Sequence, residues 1–532
     1  MRPNNQEWSR ARSRIGYALL PIGLFLISVA WFRNFPVAVE SRANYLYDSI
    51  SPFYWIGLSI ANIAIFLIAS NSKHMWERFV CGIVFFICTY SITFFFTFPF
   101  GPDANFFRGL TENYASNGVW NLYYQWPLLF ILGTIASRVL DVPISMVCTI
   151  LFLTWNVAFV GGLFLYSSQN SPVRDFLSIV AYAIAANPYM PWQFSAQSFA
   201  LTLLIICLVF MTGKGVQSRI ATLIVYGALM FTHAFLPVFV VFTALIASIK
   251  DRWYLNLALI FLLLYAVYVV FETPVMISMA IIQYSQLYLE YMLQGRLTLA
   301  GPVSSIDALG RAVSLFTTIS MWALLGFVTY YCLKHYKLRV IDISVQVSSV
   351  VYAIVGVIGW RALQILFIPT THALRSVLVS ATARKFLLVY FLLALAIFPV
   401  ALLHRTYNVE SYMSFREQHA ADVIFISTFQ ADPNGENYTM LLRNRVYQWL
   451  DSKSNTNTHF IDEYASPRLL KGAAWFKIIF MSPEFEKDLV NIAGLSNSEL
   501  SQMEGNTVGF SRIYSNGHVT VLLNPNATAL PP

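Results

Sequence analysis

The chain has 532 residues, of which 57% are apolar, 16% aromatic and 11% charged. Soluble domains carry about 25% charged residues, so this composition excludes a soluble enzyme and a disordered scaffold. The formal net charge of +8 comes from basic residues scattered between apolar runs. That pattern is typical of a membrane protein with many spans, and it argues against a nucleic-acid-binding protein, in which basic residues gather on one face.

A series of apolar stretches reaches or approaches the length needed to cross a bilayer, about 20 residues. The longest stretch, 219–249, is interrupted at Thr232-His233 and continues past Pro237, so we expect two short helices there. About eleven or twelve crossings are predicted in all. The stretches are 15–32, 53–70, 79–98, 144–166, 174–190, 195–212, 219–249, 253–271, 308–332, 346–367 and 385–403.

Basic residues predict the orientation. Arginines precede the first span, which indicates a retained first helix that begins in the cytoplasm. The loop 99–126 is then outside. If 127–140 is a juxtamembrane helix that does not cross, the basic pairs near 214–219 and 250–252 both fall inside. After residue 272 the alternation is open, because 274–292 fits either a surface helix or a poor span. The basic residues are Arg2, Arg10, Arg12, Arg14, Lys73, Arg78, Lys214, Arg219, Lys250 and Arg252.

From His404 the chain is polar and contains no spanning run, which predicts a small α/β domain over 404–532. Strands are expected at Ala421–Phe429 and Trp475–Met481, and a helix at Tyr438–Leu450. Val508–Leu523 is expected to form a hairpin around Asn516-Gly517, the preferred pair for a type I′ turn. Two glycosylation-type sequons, at Asn437 and Asn526, favour an extracytoplasmic location.

The outer loop 99–126 carries the most informative set of polar residues. Asp103 follows a span directly, and Arg108 and Glu112 come next at helical spacing. A carboxylate at the membrane surface can take a proton from an acceptor hydroxyl as a general base. The aromatic residues that end with Trp126 suit sugar faces and the depth of lipid headgroups alike. A solvated loop with an interfacial aromatic belt is the alternative.

The order of these features resembles the GT-C superfamily of polytopic glycosyltransferases, in particular archaeal and bacterial members of the protein-mannosyltransferase type. In that superfamily an acidic residue of the first outer loop precedes a juxtamembrane helix that begins with an aromatic-Pro-Leu-Leu motif. The corresponding residues here are Asp103 and Gln125-Trp126-Pro127-Leu128-Leu129. The second outer loop, Ala186–Leu201, is similar to the family's entry to the next helix, and Phe510–Val521 is similar to its closing strand pair.

The resemblance implies an α-helical polytopic fold of the GT-C type over 1–403, with juxtamembrane helices at about 99–142, and an extracytoplasmic α/β domain over 404–532. It also implies transfer of a sugar from a polyprenyl-phosphate-linked donor to a glycan, lipid or protein acceptor. Asp103 would be the catalytic base, and Arg361 with His372 or Arg375 would neutralise the leaving phosphate. No cofactor is expected, and the requirement for a divalent metal is open. The remaining substrate-binding candidates are Asn105, Arg108, Glu112, Trp126, Gln197 and His233.

Several of these residues have a structural alternative. Arg361 lies inside the apolar run 346–367, where a charge costs a few kcal/mol and is usually paired or functional. It either binds phosphate, forms a structural pair, for example with Glu272, or snorkels to the membrane surface. His372 and Arg375 suit a phosphate if their loop is outside, and are ordinary positive-inside residues if it is cytoplasmic. His233 stands at a helix break. It could line the groove that binds the sugar donor, or it could be a histidine that is hydrogen-bonded between helices.

Two other classes of function stay open. A catalytically silent GT-C-like subunit of a membrane or cell-envelope assembly is suggested by two departures from the family pattern: Ala104 after Asp103, and Gln197 where some members carry an acid. A transporter or lipid flippase is disfavoured, because intramembrane charges are few and no two related halves are evident. In each case we expect a multi-pass protein, in the plasma membrane of a prokaryote rather than in the endoplasmic reticulum.

Overall fold

The protein is described from a computed structural model of the full chain. The structure describes residues 5–35, 50–72, 74–95, 104–117, 127–168, 176–186, 195–213, 215–233, 235–272, 297–298, 301–302, 319, 323–330, 334, 338–355, 365–371, 374, 440–442, 458–460, 478–481, 498, 501–502, 505, 509–515 and 520–523.

Helices dominate the described residues up to 371. The predicted spans that fall on these residues are helical, and the break in 219–249 separates two helices as expected. The helices are α1 Asn5–Asn34, α2 Pro52–Asn71, α3 Met75–Tyr90, α4 Ala104–Asn117, α5 Leu128–Leu140, α6 Ile144–Ser168, α7 Phe176–Ala186, α8 Ala196–Met211, α9 Val216–Met230, α10 Leu236–Ser248, α11 Arg252–Glu272 and α12 Val340–Val355. Residues 323–330 are helical as well, and the predicted span 385–403 lies outside the described residues.

Among the residues that the structure describes, four helical segments are long and apolar enough to cross a membrane: Ala11–Asn34, Pro52–Asn71, Ile144–Ser167 and Arg252–Val269. The shorter apolar helices α5, α8, α9, α10 and α12 pack beside them. The chain is therefore a mostly helical, polytopic membrane protein. The number of eleven or twelve crossings stays a prediction.

Glycine brings the first two helices into close contact. A Cβ atom on Gly23 would lie 2.6 Å from the backbone nitrogen of Ala61, and one on Gly57 would lie 2.8 Å from the carbonyl oxygen of Gly23. Neither contact leaves room for a methyl group. Small residues allow such close approach of helices inside a membrane, where lipid offers no hydrophobic drive for association.

We expect Gly23→Ala to lower the melting temperature of the detergent-solubilised protein, because the added methyl group forces α1 away from α2 at a cost of about 1–3 kcal/mol. Gly227→Ala in α9 is the matched control. A Cβ atom there meets nothing within 4 Å, and alanine is the better helix former by about 1 kcal/mol. Equal melting temperatures for the two variants would contradict the tight packing of α1 on α2.

The helix termini lie at two opposite ends of the bundle. At one end the Trp31 Nε1 atom donates a hydrogen bond to the Phe94 carbonyl at 2.8 Å, and the Ser51 N–H donates to the Asn34 side chain at 3.1 Å. We call this the outer end, following the predicted orientation. The start of α6 belongs to it, because α6 runs antiparallel to α3: Phe79 contacts Phe164, and Phe86, further along α3, contacts Phe159. The starts of α8 and α10 lie there too, since Ala196 shares a cluster with Cys148 of α6 and the turn before α10 is hydrogen-bonded to the start of α5.

The opposite, inner end is defined by contacts between other helix termini. The Tyr254 hydroxyl at the start of α11 donates to the Met211 carbonyl at the end of α8, at 3.3 Å. The Tyr166 hydroxyl near the end of α6 donates to the Asp342 carboxylate at the start of α12, at 2.6 Å. The described basic residues at this end include Arg12, Arg14, Arg78, Arg219, Lys250, Arg252 and Arg339.

A helix is found at Leu128–Leu140, as predicted, and is α5. That it lies along the membrane surface stays a prediction. Its first N–H, from Leu128, donates to the Phe231 carbonyl at 3.0 Å, and near its last turn Arg138 donates to the Ala115 carbonyl of α4 at 3.1 Å. Both ends of α5 therefore contact residues at the outer end.

The chain changes sides between α11 and α12. Near the end of α11 the ring of Tyr268 lies 5.1 Å from that of Phe231, at the outer end, whereas α12 begins at the inner end beside Tyr166. The stretch 274–292, which the sequence left open, lies outside the described residues.

The C-terminal part contains a five-stranded mixed sheet in the order β4-β3-β5-β7-β6. The strands are β3 Met440–Leu442, β4 Thr458–Phe460, β5 Ile478–Met481, β6 Ser511–Ser515 and β7 Thr520–Leu523, and a two-residue pair, β1 Leu297–Thr298 with β2 Gly301–Pro302, lies earlier in the chain. β3 pairs in parallel with β4 and β5, and β7 pairs antiparallel with β5 and β6.

The hairpin expected at Val508–Leu523 is confirmed by the antiparallel pair β6–β7, and β5 confirms the strand expected at Trp475–Met481. The helix expected from Tyr438 is wrong at its start, since Met440–Leu442 is a strand between two parallel neighbours. Three consecutive apolar residues suit a parallel strand, which is covered on both faces, as well as they suit a helix. The strand expected at Ala421–Phe429 lies outside the described residues.

Candidate functional site

The candidate residues divide into those that the structure describes and those that it does not. Arg108, Glu112, Gln197 and His233 are described with their side chains, and Asn105 is described by its backbone in the first turn of α4. Outside the described residues are Asp103, Trp126, Arg361, His372 and Arg375.

Helix α4 begins at Ala104, directly after Asp103, and carries an ion pair. The Arg108 Nε atom lies 2.7 Å from the Glu112 Oε1 atom, and the two side chains are 15% and 18% exposed. The two residues are four apart, about one helical turn, so the spacing in the sequence predicts that they can pair. Much of the charge of each residue is therefore balanced by the other.

Apolar and aromatic side chains join α4 to the outer ends of α5, α6 and α8. We call this group the outer aromatic cluster. Within it the rings of Phe107 and Phe130 stack at 6.2 Å, and Trp155 stacks at 5.3 Å on Phe199, which packs against the cluster. Aromatic pairs of this kind stabilise by about 0.5–1.5 kcal/mol beyond the area they bury. The members are Phe107, Leu110, Leu129, Phe130, Cys148, Phe152, Trp155 and Ala196.

Gln197 lies in the first turn of α8 and is half-buried. The helix is capped by Ser195, whose hydroxyl accepts the N–H of Ser198 at 3.2 Å. Ala196, its neighbour in the sequence, belongs to the outer aromatic cluster together with Phe107, the neighbour of Arg108. The start of α8 and α4 thus belong to one apolar cluster.

His233 forms the turn between α9 and α10. Its Nδ1 atom accepts the N–H of Phe235 at 3.1 Å, so this nitrogen is the unprotonated one and the proton of the neutral ring lies on Nε2. Phe231, two residues earlier, accepts the N–H of Leu128 at the start of α5. His233 is therefore at the outer end, where the hydrogen bond from Phe235 orients its ring. Trp126 stands two residues before Leu128 in the sequence.

The helical turn before His372 is buried inside the bundle. The ring of Phe367 lies 6.2 Å from that of Phe159, and the hydroxyls of Thr370 and Tyr182 are hydrogen-bonded at 2.6 Å. Phe159 also contacts Phe86 in the last two turns of α3, and Tyr182 is in the last two turns of α7. The described residues next to His372 thus lie beside the parts of α3 and α7 that approach the outer end.

Sequence reasoning missed two buried polar features of the helical part. Asn156 of α6 is 2% exposed, and its Oδ1 atom has no hydrogen-bond partner among the described residues. The inner end holds a cluster of Tyr166, Arg339 and Asp342, in which the carboxylate is fully buried. A polar side chain inside an apolar run is the signal that would have identified Asn156, because such residues are costly and usually paired.

The outer end combines aromatic side chains, one partly exposed ion pair, a primary amide and a histidine with a fixed tautomer. Among the described residues no group of three His, Cys, Asp or Glu side chains is arranged to hold a metal ion.

No family model matches the chain. No curated protein sequence matches it. Among solved structures, the chain is similar to the crystal structure of ArnT from Cupriavidus metallidurans bound to undecaprenyl phosphate, with 12% identity and a TM-score of 0.44 over 87% of this chain and 100% of that one.

The charge exchange Arg108→Glu with Glu112→Arg separates a structural role from a binding role. The exchanged residues can still form an ion pair on the same helical turn. Glu112→Gln alone leaves the half-buried Arg108 without its carboxylate. We therefore expect the exchange to lower the melting temperature less than Glu112→Gln does. If the arginine binds an anionic group of the substrate, the exchange lowers activity at full stability. Retained activity of the exchanged protein would exclude that role.

Proposed function

We propose that the chain is a membrane glycosyltransferase of the GT-C type, which moves a sugar from a polyprenyl-phosphate-linked donor to an acceptor at the outer face. The observation that carries the proposal is the position of Arg108, Gln197 and His233. They come from three separate parts of the sequence, and the contacts of their neighbours bring all three to the outer end of the helix bundle. The order of sequence features that resembles the GT-C superfamily supplies the chemistry.

In this proposal Asp103 removes the proton from the acceptor hydroxyl. It stands directly before α4, the helix that joins the outer aromatic cluster through Phe107 and Leu110. Trp126 and Gln197 contact the sugar, and Asn105 and His233 belong to the same binding surface. A single displacement requires a deprotonated nucleophile on one side of the sugar and a stabilised leaving group on the other.

Arg361 is the group proposed to stabilise the leaving phosphate, because its planar guanidinium matches phosphate oxygens. His372 or Arg375 is proposed to assist Arg361. The buried turn 365–371 precedes them and packs on α6 and α7, where Thr370 is hydrogen-bonded to Tyr182, four residues before the end of α7.

The domain at 404–532 is proposed to lie on the outer side and to cover the opening of the site. It contains the five-stranded sheet, and the sequons at Asn437 and Asn526 belong to it. A tag placed after Pro532 should then be reached by a protease added to intact cells or right-side-out vesicles. Protection of the tag until the membrane is permeabilised would place the domain inside.

The proposed function is tested with the purified full chain in lipid vesicles. A panel of polyprenyl-phosphate donors with different labelled sugars is supplied together with membrane acceptors, and transfer of the label is measured. We expect transfer from one donor class and none from the corresponding nucleotide sugars. Absence of transfer from every donor, with acceptors from the native membrane present, would refute the proposal.

A catalytically silent GT-C-like subunit is the second candidate, and one observation favours it. Arg108 and Glu112 pair with each other, so the charges that would meet a substrate are balanced within the chain. This candidate predicts fixed stoichiometry with other envelope proteins after gentle solubilisation, and growth of cells that carry Asp103→Asn without any defect.

A further inference from the structure

Three exposed basic side chains lie at the inner ends of α9 and α11. Arg219 is in the first turn of α9, Lys250 is in the connection from α10 to α11, and Arg252 begins α11; all three are exposed. The guanidinium carbon of Arg219 lies 3.9 Å from the centre of the Trp253 ring. This contact joins the inner ends of α9 and α11 and fixes the position of the arginine.

The one carboxylate next to these cations in the sequence is engaged elsewhere. Asp251 accepts the N–H of Trp253 at 2.9 Å and so caps the start of α11. Within the part of the chain that the structure describes, the ion pairs are Arg108–Glu112 and Arg339–Asp342. The positive charge of Arg219, Lys250 and Arg252 is therefore not balanced by a described carboxylate within 4 Å.

Exposed apolar residues continue from these cations along both helices. On α9 Ile220 and Ile224 are 53% and 67% exposed, and on α11 Leu259 and Leu263 are 53% and 65% exposed. In each helix these residues are four apart, so they form a stripe on one side. The two helices stay close further along, where the rings of Tyr226 and Phe261 stack at 3.8 Å.

We propose that the inner ends of α9 and α11 bind an anionic phospholipid of the inner leaflet. The phosphate lies against Arg219 and Arg252, with Lys250 beside them, and the acyl chains lie along the exposed apolar stripes of the two helices. Trp253 stands at the depth of the headgroups, where tryptophan is favoured and where a cation on its face is stabilised. Clusters of basic residues at this depth attract anionic headgroups. The site lies at the opposite end of the bundle from the proposed sugar-transfer site and is independent of it.

The test uses the full chain in nanodiscs of phosphatidylcholine that contain a minority of phosphatidylglycerol. After mild release into detergent, the lipids that remain bound are counted by native mass spectrometry. We expect phosphatidylglycerol to be enriched several-fold over its share of the bilayer. Arg219→Gln with Arg252→Gln should reduce the bound lipids to the composition of the bilayer. The melting temperature in phosphatidylcholine alone should fall only slightly, because the lost contact of Arg219 with Trp253 contributes about 0.5–1 kcal/mol at an exposed site.

The control variant is Arg12→Gln with Arg14→Gln, which removes two exposed cations from the inner end of α1 and leaves α9 and α11 unchanged. It should keep the enrichment. An equal loss in the control would mean that only the total positive charge of the inner end matters, and would overturn the proposal. So would a wild-type protein whose bound lipids have the composition of the bilayer.

Discussion

Asp103→Asn is expected to lower sugar transfer by about 10²- to 10⁴-fold, which is the usual contribution of a positioned general base. Asparagine keeps the size and the polar character of the side chain but cannot take a proton from the acceptor at neutral pH. It also stabilises the start of a helix as well as aspartate does, so the fold of α4, which begins at the next residue, should persist. The measurement is initial transfer rate at saturating donor, together with the melting temperature.

Asp141→Asn is the matched control for this change. Asp141 is an exposed carboxylate at the outer end, where it follows the last residue of α5 with a left-handed backbone (φ 53°). Asparagine adopts that conformation readily, so the same chemical change is made at a site outside the outer aromatic cluster. We expect unchanged transfer. Equal rates for wild type and both variants would leave the transferase proposal standing and assign the base to another residue.

The helical part of the fold follows from the sequence because bilayer thickness imposes a simple length rule. Apolar runs of about 20 residues have to be helices there, since each backbone N–H and C=O must be paired within the segment. The break at Thr232-His233 is predicted for the same reason, whereas 127–140 is interpreted as a juxtamembrane helix from the positions of the basic residues. The start of α12 at Val340, six residues before the predicted span, is not, because Asp342 is charged and its partner Tyr166 lies far away in the sequence.

The C-terminal sheet is harder to predict, since its strands are short and have no bilayer to fix their length. The β6–β7 hairpin is local and carries its turn signal at Asn516-Gly517, so it is found. Met440–Leu442 pairs in parallel with strands that begin 18 and 38 residues later. Three apolar residues do not distinguish a strand from a helix, and only the neighbours decide.

In the candidate site, too, local features could be predicted from the sequence and contacts between distant segments could not. The spacing of Arg108 and Glu112 predicts their ion pair, because both residues are on one helix. That Phe107 and Ala196 share a cluster could not be predicted, since it depends on how α6 and α8 pack. The location of the turn before His372 likewise depends on the contacts of Phe367 and Thr370 with α6 and α7, which no local pattern encodes.

The inner end contains a second carboxylate, Asp342, whose replacement should have a large effect of a different kind. Its side chain is fully buried and accepts hydrogen bonds from the Arg339 side chain at 2.9 and 3.0 Å and from the Tyr166 hydroxyl at 2.6 Å. The guanidinium also lies 4.4 Å from the centre of the Tyr166 ring. Burial opposes the charge of Arg339, but these hydrogen bonds outweigh burial and raise its pKa above the ordinary value.

Asp342→Asn is therefore expected to destabilise the protein by about 3–5 kcal/mol, because it leaves a buried guanidinium without its counter-charge. Tyr166→Phe removes one hydrogen bond to the carboxylate and should cost about 1.5–3 kcal/mol. Replacing the pair with apolar residues, Arg339→Met with Asp342→Leu, should recover most of the loss, since no buried charge is left. Melting temperatures in detergent rank the three variants, and a loss for Asp342→Asn no larger than that for Tyr166→Phe would contradict the role of the charge.

The two carboxylates can then be separated by a single comparison. Asp342→Asn should transfer sugar at the wild-type rate at a temperature at which it is still folded, because the cluster is at the inner end and holds α12 against α6. Asp103→Asn should keep the wild-type melting temperature and lose transfer. If Asp342→Asn lost transfer while folded, the cluster would have to be coupled to the outer end through α6, whose first turns contribute Cys148 and Phe152 to the outer aromatic cluster. Asp342 would then be a positioning residue that acts through that helix.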